Sequence, residues 1–97
     1  MALSQFVGTV SGSGTTPPCQ PWGDFNITLT GTWVGTVFPE RSFDNGSTWN
    51  RLSADIYGSP VAWTGSGTWM ATEAEQSVMW RLNYALSSGT LGYRFSQ

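Results

Sequence analysis

The segment VMWRLNYALSSGTLGYRF, residues 78 to 95, alternates with a period of two on both sides of a short break. Val78, Trp80, Leu82, Tyr84 and Leu86 share one face of the first half. Leu91, Tyr93 and Phe95 share one face of the second. A period of two is that of a strand with one side buried and the other in water. Ser87-Ser88-Gly89-Thr90 between them has the composition of a turn. Residues 78 to 97 are therefore expected to form a terminal β-hairpin.

Working outward, DFNITLTGTW at 24 to 33 has the same character: Phe25, Ile27 and Leu29 alternate with Asn26, Thr28 and Thr30. After Gly31, Trp33 and Val34 open a further run through Val37 and Phe38. Pro39 has no N–H for a ladder, so it marks a sheet edge or a bulge. Arg41 to Phe43 lead into a turn, and Trp49 to Ser53 lead out of it. Val61 to Met70 alternates weakly around Gly65-Ser66-Gly67, as one irregular strand or a tight hairpin. ATEAEQ, 71 to 76, leans toward helix but is too short for more than one turn. Upstream, SQFVGTV at 4 to 10 is a short strand or an extended arm. SGSGTTPPCQPWG, 11 to 23, reads as a loop because three Pro and three Gly suit neither helix nor central strand. The expectation is six to eight short strands in a single antiparallel all-β sandwich of Ig-like or jelly-roll topology. It covers residues 24–97 and follows a Gly/Pro-rich N-terminal arm and loop, residues 1–23.

Composition narrows the function. Ninety-seven residues make one domain, and 14% aromatic against 10% charged residues mark a folded chain. Four scattered arginines and no lysine, at a net charge of −2, give no basic stripe for phosphates, so nucleic acid is not an expected partner. No apolar run is long enough to span a bilayer, so no membrane partner is expected. MALSQFVGTV lacks the basic and apolar regions of a secretory signal, which points to synthesis in a cytoplasm.

The catalytic inventory is thin. There is no histidine to act as base or metal ligand, and the lone Cys19 has neither an activating partner nor a disulfide mate. An idle or buried thiol is its expected state. Carboxylate pairs for glycoside chemistry would come from Asp24, Asp44, Asp55, Glu40, Glu73 and Glu75. Asp44 has a turn to explain it, and Glu73 and Glu75 read as a solvated loop. No enzyme activity, metal or cofactor is expected. Of the six tryptophans, Trp80 and Trp49 are expected in the core. Trp22, Trp63 and Trp69 either face a partner or a sugar, or cover loops. Arg41, Arg81 and Arg94 fall within strands, as interface anchors or as part of a solvated face.

SFDNGSTW, 42 to 49, has the Ser-x-Asp-x-Gly-x-Thr-Trp spacing of the Asp-box of sialidase propellers. A propeller needs several blades of about forty residues each, so this chain is too short to be one. Each part of the motif has a folding role instead. Asp44 accepts from N–H groups ahead of it, Asn45-Gly46 supplies positive φ, Thr48 completes the turn, and Trp49 folds back over it. The longer stretch DFNITLTGTWVGTVFPERSFDNGSTW, with WRLNYALSSGTLGYRFSQ near the end, resembles a family of small proteins in tailed-phage genomes. There a run like FN-x-x-L-x-GT-x-x-GTV leads to an RSFD-x-G-x-TW hairpin, and the chain closes on YRL…SGT…YRLSQ. The resemblance covers roughly residues 24 to 50 and 80 to 97, with mild departures at Trp80 and Phe95. It implies a virion protein, either a capsid decoration (cement) protein binding the major capsid protein as a dimer or trimer, or a head or tail accessory module. The alternative drawn from the tryptophans is a receptor- or carbohydrate-binding module of a fibre or spike.

Overall fold

Trp80, Leu82, Tyr84 and Leu86 all turn inward, as do Leu91, Tyr93 and Phe95, and all seven are buried. The two strands that carry them nevertheless lie in different sheets. The computed structural model describes residues 5–52, 61–75 and 77–97. Among these residues are eight strands: β1 (Gln5–Val10), β2 (Ser13–Thr15), β3 (Gly23–Thr30), β4 (Trp33–Ser42), β5 (Asn50–Arg51), β6 (Gly67–Glu73), β7 (Met79–Gly89) and β8 (Leu91–Ser96). They form two four-stranded antiparallel sheets, ordered β1-β8-β3-β6 and β2-β7-β4-β5. This is the strand order of an eight-stranded jelly roll, the second of the two expected topologies.

The expected terminal hairpin is thus an arch. β7 pairs with β4, and β8 pairs with β3 and β1. The link between β3 and β4 crosses between sheets in the same way. Among the described residues, only β4 and β5 are successive strands paired in one sheet, and the SFDNGSTW turn joins them. The two central arches nest at one end of the sandwich, where Thr90 N–H donates to Thr32 O at 3.1 Å. Each turns on a glycine with positive φ, +89° at Gly31 and +87° at Gly89. A Cβ on Gly89 would stand 2.2 Å from Thr32 O and 2.7 Å from Trp33 Cα.

The arm expected over residues 1–23 is replaced, from Gln5 on, by strands and a bound loop. β1 edges the first sheet and β2 the second. Thr16 and Cys19 then follow β7: Thr16 N–H donates to Leu82 O at 2.9 Å, and Cys19 exchanges backbone bonds with Trp80 at 2.9 and 2.8 Å. Unpaired backbone donors buried here would be costly, and β7 supplies their partners. Pro39 sits inside β4, while the bulge falls at Val34/Gly35. Its carbonyl accepts from Leu52 N–H at 3.2 Å on the side covered only by short segments, so no donor is required of it. Val61–Met70 is neither a single strand nor a hairpin. Trp63 bridges Val37 in one sheet, while β6 starts at Gly67 in the other. Ala71–Glu73 end β6 and form no helical turn.

The core lies between the two inner faces. Phe25 meets Trp80 edge to face, with ring centroids 4.9 Å apart, and stacks on Phe95 at 6.2 Å. Such aromatic pairs contribute about 0.5–1.5 kcal/mol each beyond the area they bury.

Gly89→Ala combines a strained φ with a backbone clash and is expected to cost roughly 2–4 kcal/mol. For a domain of this size that lowers Tm by roughly 10–25 °C. Gly12→Ala has a similar φ of +72° but nothing within 4 Å of the added carbon. It should cost only about 1 kcal/mol. Thermal denaturation of both variants, followed by tryptophan fluorescence, checks this; equal losses would mean that the nested corner adds nothing.

Candidate interaction site

The SFDNGSTW turn closes on its own side chains. Asp44 Oδ1 accepts from Ser42 Oγ and from Thr48 N–H, both at 2.8 Å, and Oδ2 accepts from the Thr48 hydroxyl. Ser42 Oγ accepts in turn from Gly46 N–H at 2.8 Å, and Trp49 Nε1 donates to Gly46 O at 3.1 Å. Asn45 and Gly46 take the positive φ expected of them, 60° and 91°. Bonds from the Thr48 hydroxyl, the Thr48 N–H and the Ser42 hydroxyl hold the Asp44 carboxyl down at about 2. Trp49 is half-buried, covering the turn rather than entering the core.

Beside the turn, the outer face of the second sheet carries a charged cluster. Arg81 Nε donates to Glu40 Oε1 at 2.8 Å, and its guanidinium lies 4.2 Å from the Trp49 ring centroid. Arg51 stands 3.8 Å over Phe38. Arg81 is thus held by the hairpin on one side and by its cross-strand neighbour on the other.

Between the sheets, Glu73 overturns the expectation of a solvated loop: it is fully buried. Its carboxylate accepts from Arg41 Nε at 2.8 Å, Arg41 Nη2 at 2.7 Å, Trp80 Nε1 at 2.7 Å and Glu75 N–H at 3.1 Å. Burial pushes its pKa up. The bonds from Arg41, Trp80 and Glu75 N–H, together with the Arg41 charge, outweigh that and leave the carboxyl below its usual range. The pair ties β6 of one sheet to β4 and β7 of the other. It is satisfied internally, with both carboxylate oxygens occupied.

The six residues singled out for an interface do not form one patch. Arg41 is committed to Glu73, and Arg81 to Glu40 and Trp49. Arg94, exposed on the first sheet, donates to Gln5 Oε1 at 3.1 Å. Trp63 and Trp69 stack on each other with centroids 4.4 Å apart, half-buried where the two sheets meet, so each ring covers the other's face. Trp22 remains 47% exposed, with its backbone held by the Gln97 side chain. Cys19 is buried, and burial pushes its thiol up to about 12, which keeps it protonated.

Sequence reasoning passed over a groove of about 300 Å³ lined by Arg41, Phe43, Asn50, Arg51 and Leu52. Counting outward from the turn could have found it, since the hairpin sets Asn50 opposite Arg41 and Arg51 opposite Glu40. Phe43 is 52% exposed at its rim. Among the described residues, no group of three or more Cys, Asp or Glu side chains is placed to hold a metal. No protein-family model matches the chain, and neither does any curated protein or solved structure.

Two substitutions probe the buried and exposed carboxylates. Glu73→Gln strands the Arg41 charge and is expected to cost roughly 3 kcal/mol in urea denaturation. Glu75→Gln, at an exposed side chain, should stay within about 0.5 kcal/mol of wild type. For Asp44 the folded pKa lies below the unfolded one, so its contribution is complete above the ordinary carboxylate range and disappears as pH falls through about 2. Asp44→Asn should therefore lower Tm at neutral pH, with the two Tm curves converging as pH approaches 2. A gap that stays constant across that window would rule out the carboxylate as its source.

Proposed function

We propose that this chain is a non-enzymatic structural protein of a tailed-phage virion, a capsid decoration protein that binds and braces the major capsid protein shell. One observation carries the reading. The two blocks that resemble small tailed-phage proteins, 24 to 50 and 80 to 97, hold β4, the Asp44 hairpin, β8, and all but the first residue of β3 and of β7. These are the central strands of both sheets and the two nested arches. The segments outside the resemblance supply the edge strands β1, β2 and β6. The resemblance thus follows one packed unit rather than scattered positions. Jelly rolls serve in both viral capsid and lectin domains, so the fold is compatible with this reading but does not select it.

In this reading the chain is made in the host cytoplasm and assembles onto the particle as a dimer or trimer near a symmetry axis. It stabilises the shell by mass action, binding assembled capsomers and not free subunits. Exposed aromatic residues such as Trp22 and Phe43 serve as anchors. It requires no cofactor, nucleic acid or membrane. A second reading, a receptor- or carbohydrate-binding module of a fibre, spike or tail, is favoured by the exposure of Trp22.

Mass spectrometry and cryo-electron reconstruction of purified particles separate these readings. Decoration predicts a fixed copy number per capsomer and density for a 10.5 kDa β domain on the shell. Density confined to a tail or fibre, with a saturable tryptophan fluorescence change on glycan addition, would favour the second. A particle that lacks the chain would end both.

A further inference from the structure

Among the described residues, the groove beside the Asp44 hairpin is lined by two guanidinium groups, one amide and two apolar side chains, none of them a carboxylate. The two arginines differ in what they have left to give. Arg41 spends Nε and Nη2 on Glu73, and its charge is matched there. Arg51 is exposed and has no ion pair among the described residues. Its guanidinium is stacked over Phe38 at 3.8 Å. Stacking occupies the face of a guanidinium and leaves its in-plane N–H donors free, held in a fixed orientation.

The site therefore offers about one unmatched positive charge, which suits a monoanion better than a phosphate dianion. Asn50 adds one neutral donor and acceptor, while exposed Phe43 and half-buried Leu52 add apolar surface. A single amide is too few polar partners for the hydroxyls of an acidic sugar, whereas two apolar walls suit the neighbour of an acidic residue in a peptide. The volume, about 300 Å³, lies at the small end of ligand pockets and fits one or two side chains.

We propose that this groove takes a carboxylate from an acidic–apolar segment of a partner protein. Arg51 pairs with both carboxylate oxygens, Asn50 bonds from the side, and Phe43 and Leu52 enclose the apolar neighbour. The inference deepens the docking role proposed above and rests on it for the choice of a protein partner.

The full chain, labelled with nitrogen-15, is titrated with acetyl-Leu-Glu-Leu-amide, with the same peptide carrying Gln in place of Glu, and with glucuronate. The Glu peptide is expected to shift the backbone amides of Asn50, Arg51 and Leu52 saturably, with a Kd on the order of 1 mM. The Gln peptide and the Arg51→Gln variant should each weaken this about tenfold or more, and Arg51→Lys should fall between, because it keeps the charge but loses the fork. Raising salt from about 50 to 300 mM should weaken binding as well. The proposal is overturned by the absence of saturable shifts at about 10 mM Glu peptide, by equal binding of the Gln peptide, or by a response to glucuronate alone. Because the titration uses the isolated chain, it can fail while the protein is still found on particles, and a particle result cannot alter it.

Discussion

Thr32 and Thr90 meet where two glycine-centred arches cross from one sheet to the other, and the remaining architecture follows from that contact. Because Gly31 and Gly89 let the arches approach backbone to backbone, β3 lies beside β8 and β4 beside β7. Those four strands bury Phe25, Ile27, Leu29, Val37, Trp80, Leu82, Leu91 and Phe95 between them. Interiors are packed as densely as organic crystals, so a carbon added at the corner has nowhere to go without separating the layers. The edge strands then attach to a sandwich whose spacing is already set.

At the opposite end the sheets are joined by charge. Glu73 reaches from β6 to Arg41 on β4 and to the Trp80 indole on β7, with every bond made inside the protein. A buried ion pair contributes little net stability compared with apolar packing, but removing one member leaves an uncompensated charge. Its role here is alignment. It sets β6 against the second sheet at the position where the Asp44 hairpin emerges, and so shapes the wall of the groove. The hairpin, the groove and the Arg81–Trp49–Glu40 cluster are consequences of one in-sheet turn, the one connection of its kind among the described residues.

How much of this the sequence revealed depended on the range of each interaction. The SFDNGSTW turn was readable almost in full, because Asp44, Ser42, Thr48 and Trp49 bond to partners no more than four residues away. Alternation likewise identified the inward faces of β3, β7 and β8 correctly. It could not say whether β7 and β8 form a hairpin or an arch, since both leave one face buried and the other wet. The charge of Glu73 points to solvent, but its place in β6 does not. Its phase with Trp69 and Ala71 put it on the inward side of β6, and Arg41, thirty-two positions away, with the Trp80 indole makes that side tolerable.

The sequence by itself determined an all-β chain, the inward side chains of β3, β7 and β8, and the conformation of the hairpin at Asp44. Each of these follows from chemistry local to a few residues. Tertiary structure decided the rest. It recruited residues 5–19 into both sheets, because β7 and β8 had backbone groups to satisfy. It stacked Trp63 on Trp69, so that each covers one face of the other. It also set Glu73 of one sheet against Arg41 of the other. Those outcomes depend on which strands become neighbours, a choice made by the joint packing of two layers, which no short window of sequence contains.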